Sequence, residues 1–232
     1  MKKDDFLVVL TGAGISAESG VPTFRSNGGL WRQHRFEELA TPEAFAADSD
    51  LVWDFYRWRQ EGVRNAQPNR AHEILAEMEA ELGERMLLVT QNVDDLHERG
   101  GSRKLLHMHG EIMKARCLHC GMVHGDYDYN RSIEGCPDCG SSVRPHIVWF
   151  GEMPFHMEEI QTALMRASQF IAIGTSGAVY PAAQFVSMAK SGGARTRLIN
   201  LEAADNFGAF DGILEGKATE VLETLWLEGK IF

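Results

Sequence analysis

Apolar residues in this chain fall into short unbroken runs separated by longer stretches of mixed character. Phe6–Leu10, Met86–Val89, Ile147–Phe150, Phe170–Ile173 and Leu198–Leu201 are such runs, most of them followed by glycine or a polar turn. A run that is apolar at every position reads as a strand covered on both faces, the situation in a parallel sheet. Helical spacing fills several of the gaps. Asn69 can cap a helix whose Ala71, Ile74, Leu75, Met78 and Leu82 share one face, with Gly83 as its stop. Ala218, Val221, Leu222 and Leu225 repeat the spacing near the C-terminus. Strands alternating with helices predict an α/β fold, a Rossmann-like doubly wound parallel sheet. Two segments interrupt the alternation: residues 32–84, which read as purely helical, and residues 114–145, which hold all the cysteines. They are expected to form a small lobe beside a discontinuous main domain of residues 1–31, 85–113 and 146–232, with the ligand in the cleft between them.

At 232 residues and 44% apolar content the chain can bury one good core with a smaller module attached, and disorder is excluded. No apolar run approaches the length of a membrane span, and Met1–Asp5 leads into the first strand without a secretory leader. A cytoplasmic protein with no membrane or specific nucleic-acid partner is expected, and a monomer. The net charge of −10 opposes non-specific nucleic-acid binding and suits a basic partner such as lysine-bearing protein segments.

The only four cysteines, Cys117, Cys120, Cys136 and Cys139, form two C-x2-C pairs fifteen residues apart. Without a secretory leader, this spacing favours metal over disulfides. Four thiolates around tetrahedral Zn²⁺ leave no open position, so one structural zinc is predicted. Residues 101–146 carry six basic and five acidic side chains, which is not the balance of a nucleic-acid-binding ribbon.

The candidate chemistry lies at strand ends. Phe6–Leu10 runs into Gly12, Gly14 and Ala17, a variant of the glycine loop whose backbone N–H groups can approach a pyrophosphate at a helix N-terminus. A dehydrogenase would continue to a second strand ending in a ribose-binding acid. Here the chain continues Val21-Pro22-Thr23-Phe24-Arg25, then through glycines to Trp31, so the dinucleotide is expected to serve a different chemical role. Gln91-Asn92-Val93-Asp94, Gly174-Thr175-Ser176 and Asn200-Leu201-Glu202 each follow a run, where an open α/β sheet places its ligand contacts. A lone histidine is more often structural than catalytic; His109 gains weight as a candidate from the adjacent Gly110 and its place at the junction of the lobes.

Taken in order, Gly12-Ala13-Gly14-Ile15-Ser16, Ser19 to Arg25, Gln91 to Asp94, His109-Gly110, the four-cysteine module, Phe150-Gly151-Glu152 and Gly174-Thr175-Ser176 resemble the sirtuin family over nearly the whole chain. Within it the likeness is to the bacterial CobB-type, sirtuin-5-like class; Glu111 stands where many relatives carry a small hydroxyl residue. The resemblance implies an NAD-dependent protein-lysine deacylase, in which NAD is consumed as a co-substrate and nicotinamide, O-acyl-ADP-ribose and free lysine are released. It implies His109 as general base on a ribose hydroxyl. Ala13, Gly14 and Ser16 would cradle phosphate, Phe24 cover the nicotinamide pocket, and Arg25 hold phosphate. Gln91 and Asn92 would bind ribose, Asp94 the carboxamide, and Thr175, Ser176, Asn200 and Ala218 the adenosine half. Gly12, Glu18, Thr23, Trp31, Val93, Gly174, Leu201 and Glu202 complete the expected NAD contacts. Val148, Trp149, Phe150 and Gly151 match the segment that takes the acyl-lysine peptide as an added strand. Tyr56 and Arg59 are three apart on a helix expected over 51–62. Spacing alone turns the arginines of that helix to water, whereas the resemblance puts the pair in the acyl pocket and implies succinyl- and malonyl-lysine beside acetyl-lysine as substrates. The alternatives are an ADP-ribosyltransferase and a non-enzymatic NAD- or zinc-ribbon-binding protein.

Overall fold

The computed structural model of the chain describes residues 5–23, 30–31, 34–202, 204 and 207–231. Phe24 and Arg25 lie outside them. β1 (Leu7–Thr11) is buried at every position because it has a parallel neighbour on each side and helices over both faces. On one side follow β4 (Met86–Thr90) and β5 (Leu105–His107); on the other, β9 (Gln169–Ile173), β10 (Arg195–Asn200) and β11 (Gly212–Glu215). The order β11-β10-β9-β1-β4-β5 is parallel throughout. Strand order reverses beside β1, so the loops leaving β1 and β9 diverge there and open a crevice at the carboxyl ends of the strands.

The expected cap and stop of the helix after Asn69 are both present. α5 (Arg70–Leu82) starts where the Asn69 side chain accepts from the Ala71 N–H at 3.0 Å, and it ends at Gly83, whose φ is +57°. Its Ala71, Ile74, Leu75, Met78 and Leu82 pack with Leu7, Val9 and Leu88 of the sheet. α9 (Ala218–Leu227) covers the same face, and α7 (Met157–Arg166) and α8 (Phe185–Ser191) cover the other.

The remaining elements are α1 (Ala13–Ala17), α6 (Leu96–Arg99) and those of the smaller layer. β2 (Leu30–Trp31) pairs with β3 (His34–Arg35) and leads to α2 (Phe36–Leu39), α3 (Pro42–Ala47) and α4 (Ser49–Asn65). β6 (Gly110–Cys117), β7 (Val123–His124) and β8 (Val143–Ile147) form an antiparallel sheet that carries the cysteines. α4 packs on this sheet through Val52, Trp53, Phe55, Tyr56 and Val63 against Ile112, Ala115, Val143 and Trp149.

Three expectations change. Residues 32–84 are not purely helical, because β3 pairs with β2. Residues 70–82, expected in the small lobe, lie on the parallel sheet instead: β1 and β4 are parallel neighbours, so a helix must carry the chain back across the sheet between them, and α5 does so. Ile147–Phe150 is no strand of that sheet. Ile147 ends β8, and the following residues leave it with Trp149 buried in the small-lobe core. An apolar run shows that a segment is covered, but not by what. Among the described residues no helix is long and apolar enough to cross a membrane.

One buried amide ties α4 to the metal-bearing sheet. Gln60 donates to the carbonyls of Ile112 and Tyr127, both at 2.9 Å, and accepts from the Tyr129 N–H at 3.1 Å. Gln60→Ala strands these buried groups, and we expect a loss of about 3 kcal/mol in the unfolding free energy measured with denaturant.

Candidate active site

The floor of the crevice is glycine for a steric reason. A Cβ on Gly12 would lie 2.7 Å from the Gly174 oxygen, and one on Gly14 would lie 2.7 Å from the Gly174 Cα. Gly12 N–H donates to Ile173 O at 2.9 Å and Gly14 N–H to Gly174 O at 2.8 Å, so the β1 and β9 loops are stitched together. The Gly14 amide, expected to cradle phosphate, is therefore engaged within the protein, and its contribution is close approach. Ser16 is buried; its Oγ accepts from Asn92 Nδ2 at 3.0 Å, and its neighbour Ala13 begins α1.

The β4 loop lies beside this floor. Gln91 Nε2 donates to Thr175 Oγ1 at 3.1 Å, and Asn200 Nδ2 donates to Thr175 O at 3.0 Å, which joins the ends of β4, β9 and β10. Asp94 is buried, accepts from the Leu96 N–H at 3.2 Å, and has its pKa raised by that burial. Ala218 opens α9 nearby; Glu18 accepts from the Thr219 hydroxyl at 2.8 Å and so links α1 to α9. Leu201 and Glu202 are exposed beyond β10, and the Ser176 hydroxyl accepts from the Ala178 N–H at 3.3 Å. Thr23 ends the described part of the loop after α1, and Trp31 lies in β2.

His109 approaches the same loop from the junction of the lobes, between β5 and β6. Its Nδ1 is 3.0 Å from Gln91 O, so Nδ1 carries the proton and Nε2 keeps the lone pair. Burial lowers its pKa, opposed by the Gln91 carbonyl, so the ring is neutral at pH 7.

Residues 148–151 are held from beneath. Glu152 accepts from Arg144 at 2.6 and 2.9 Å, from Arg116 at 3.1 Å and from the Trp149 N–H at 2.8 Å. Burial raises the Glu152 pKa, but Arg144, the Trp149 amide and Arg116 outweigh it and hold the carboxyl below its ordinary range. The Arg144 guanidinium carbon sits 3.3 Å from the Trp149 ring centre. Val148 N–H donates to His109 O and Phe150 N–H to Ala40 O, each at 2.9 Å. Three amides of this segment are thus engaged, and so is the Trp149 carbonyl, which accepts from the Glu152 N–H at 3.0 Å. Neither Glu152–Arg144 nor Gln60 was singled out from sequence. Glu152 stood inside a quoted motif, but Arg116 arrives beside Arg144 only through the antiparallel β6–β8 pairing, and Arg144 only because the chain turns back after β8.

Tyr56 and Arg59 do share a face of α4. Tyr56 is fully buried and accepts from Trp149 Nε1–H at 2.8 Å. Arg59 is partly buried, its guanidinium carbon 5.9 Å from the Tyr56 ring centre. Burial lowers the Arg59 pKa, with Tyr56, Asp94 and Tyr129 opposing. The solvated face read from spacing alone does not describe this pair. Asp94 is close enough to Arg59 to act on its charge, which links the acyl-pocket candidates to the nucleotide candidates.

The cysteine thiols converge. Cys117 and Cys139 Sγ are 3.5 Å apart, Cys120 and Cys136 Sγ 3.7 Å, and all four lie within 4.8 Å of one another. Thiolates on tetrahedral Zn²⁺ at about 2.3 Å lie about 3.8 Å from each other, so the donor set fits zinc. The His119 and Cys120 amides donate to Cys117 Sγ at 3.3 and 3.4 Å, which favours a ligating thiolate there.

The fold and site define a dinucleotide-binding α/β protein with a thiolate metal module. The Sir2 family model matches residues 12–181. A Pasteurella multocida NAD-dependent protein deacylase is 52% identical over 96% of this chain and 97% of its own, and one from Leishmania major is 47% identical over 98% and 96%. Among solved structures, a Sir2 homologue–NAD complex superposes with a TM-score of 0.89 at 44% identity, covering 97% of this chain and 90% of the other. A Sir2 complex with a deacetylated peptide and an acetyl-ADP-ribose matches at 0.85 and 31%, covering 99% and 96%. The chain belongs to the Sir2 family.

Metal analysis of the purified protein is expected to find about one zinc per chain. Cys136→Ser should lower zinc content and melting temperature together, because binding at a structural site supplies folding free energy.

Proposed function

We propose that this chain is an NAD-dependent protein-lysine deacylase that accepts succinyl- and malonyl-lysine as well as acetyl-lysine. The observation that carries the reading is His109, neutral and held by Gln91 O beside a crevice whose walls are Gln91, Asn92 and Asp94. Its Sir2 membership and its relatives, each named an NAD-dependent protein deacylase, support the activity class.

Bound NAD supplies a ribose carbon that becomes electrophilic as nicotinamide leaves. The chain's residues do the rest. Gln91 and Asn92 hold ribose hydroxyls, and Asp94 accepts from the carboxamide. Ala13 and Ser16 meet phosphate, while Thr175, Ser176, Asn200 and the start of α9 at Ala218 hold the adenosine half. His109 Nε2 takes a proton from a ribose hydroxyl, which its lowered pKa leaves it free to accept at neutral pH. Val148–Gly151 receives the peptide backbone as an added strand, a sequence-tolerant mode of docking. Glu152 and Arg144 hold that segment in place at Trp149, through its N–H and its ring.

For the acyl group, Arg59 offers a permanently charged fork suited to a terminal carboxylate. The Tyr56 oxygen accepts from Trp149, so its own hydroxyl hydrogen remains for donation. A short neutral acetyl group needs neither.

His109→Ala should lower kcat at least about 10²-fold while leaving NAD binding, measured calorimetrically, near wild type. Deacylation at the wild-type rate overturns the mechanism. Arg59→Met should depress desuccinylation about 10-fold or more while deacetylation changes little, since a hydrogen bond to a charged group contributes about 1.5–3 kcal/mol. Equal losses on both peptides would place Arg59 outside the acyl pocket.

A further inference from the structure

The Gln91–Asp95 loop is held by a second histidine that the proposed reaction does not use. His107 ends β5, where it is register partner to Thr90. Its ring is buried and bonded at both nitrogens: Nδ1 is 3.1 Å from Asn92 O and Nε2 is 2.7 Å from Glu98 Oε1 on α6. Both partners are acceptors, so satisfying both requires two N–H donors, which only the imidazolium supplies. The loop therefore hangs from two histidines two residues apart, in opposite charge states. His109 donates one hydrogen to Gln91 O and must stay neutral; His107 donates to the next carbonyl, Asn92 O, and must stay charged.

We propose that the His107–Glu98 ion pair is a positioning brace which fixes the Gln91–Asn92 carbonyls, and through them the ring of His109, for proton abstraction. The inference rests on the reading of His109 as general base. If His107 loses its charge, it keeps one N–H for two acceptors. Either the Asn92 carbonyl or the Glu98 carboxylate is then stranded in a buried setting, and the loop shifts to relieve it. The groups facing the ring agree with the charged state. Glu98 on α6, Asp94 in the loop and Glu111 on β6 are acidic; Lys114 on β6 is bonded to Glu111 at 2.6 Å, and the buried His97 is neutral. Burial lowers the His107 pKa, but Glu98 more than offsets this and leaves it raised, while Glu98 is itself held low.

The sign follows for activity. His109 limits turnover at acid pH, where it protonates. His107 limits it at alkaline pH, where it loses its proton. Glu98→Gln keeps an acceptor near Nε2 but removes the charge that stabilises the imidazolium, so the alkaline limb should move to lower pH.

The experiment measures kcat and KM from pH 6 to 10 with NAD and an acetyl-lysine peptide, for wild type, Glu98→Gln and His107→Gln. In Glu98→Gln we expect kcat about 10-fold below wild type at pH 8 but within about 3-fold at pH 6, with the peptide KM unchanged. His107→Gln, which has one amide donor group and no titration, should show a reduced kcat with no alkaline limb below pH 9. Loss by the same factor at every pH in Glu98→Gln, or a profile that superposes on wild type, overturns the brace while leaving the deacylase reading intact. A wild-type enzyme that leaves the peptide acetylated overturns both.

Discussion

Where β4 ends, the chain enters a buried loop and its carbonyls lose their ladder partners. Each then has to be met by something else, because an unpaired buried carbonyl costs about as much as a lost hydrogen bond. Four in succession are met from one neighbouring segment: Thr90 O by Met108 N–H at 3.0 Å, Gln91 O by His109, Asn92 O by His107, and Val93 O by Ile112 N–H at 2.8 Å. That segment runs from the edge strand of the parallel sheet into the first strand of the metal-bearing sheet. The requirement to satisfy these carbonyls thus locks the two layers together and sets the His109 imidazole beside the crevice.

A second constraint, purely steric, keeps the crevice shallow at its base. Gly12, Gly14 and Gly174 let two loops touch backbone to backbone at the point where strand order reverses. Any side chain there would push β1 and β9 apart and move Ser16 and Thr175, the residues to which Asn92 and Gln91 are hydrogen-bonded. Floor and wall are therefore not independent.

Charge is used sparingly and in pairs. Glu152 is shared by Arg144 and Arg116, and Glu98 holds His107. Around the nucleotide candidates, burial is the largest cause that raises Asp94 and lowers His109. Paired charges brace loops, whereas Asp94 and His109 owe their shifts chiefly to burial.

Much of this was legible in the chain as written. The glycine loop, the strand–helix alternation, the Asn69 cap with its Gly83 stop and the paired cysteines depend on residues within a few positions of one another, so local spacing carries them. The strands Leu105–His107 and Gly212–Glu215 were missed because they are short and lie at the sheet edges. Ile147–Phe150 looked like a core strand because burial under the small lobe and burial in a sheet leave the same apolar signature. The assignment of α5 to the parallel sheet, the clamp of Glu152 by Arg144, the junction at Gln60 and the pairing of His107 with Glu98 arise only in three dimensions. Each joins elements that are brought together by crossover or strand pairing, so their contacts are fixed by where the backbone turns and not by the order of residues along it. Sequence determined which side chains could do chemistry. Tertiary structure decided which of two neighbouring histidines meets a carbonyl alone and which meets a carbonyl and a carboxylate, because only it supplies the partner at each ring nitrogen.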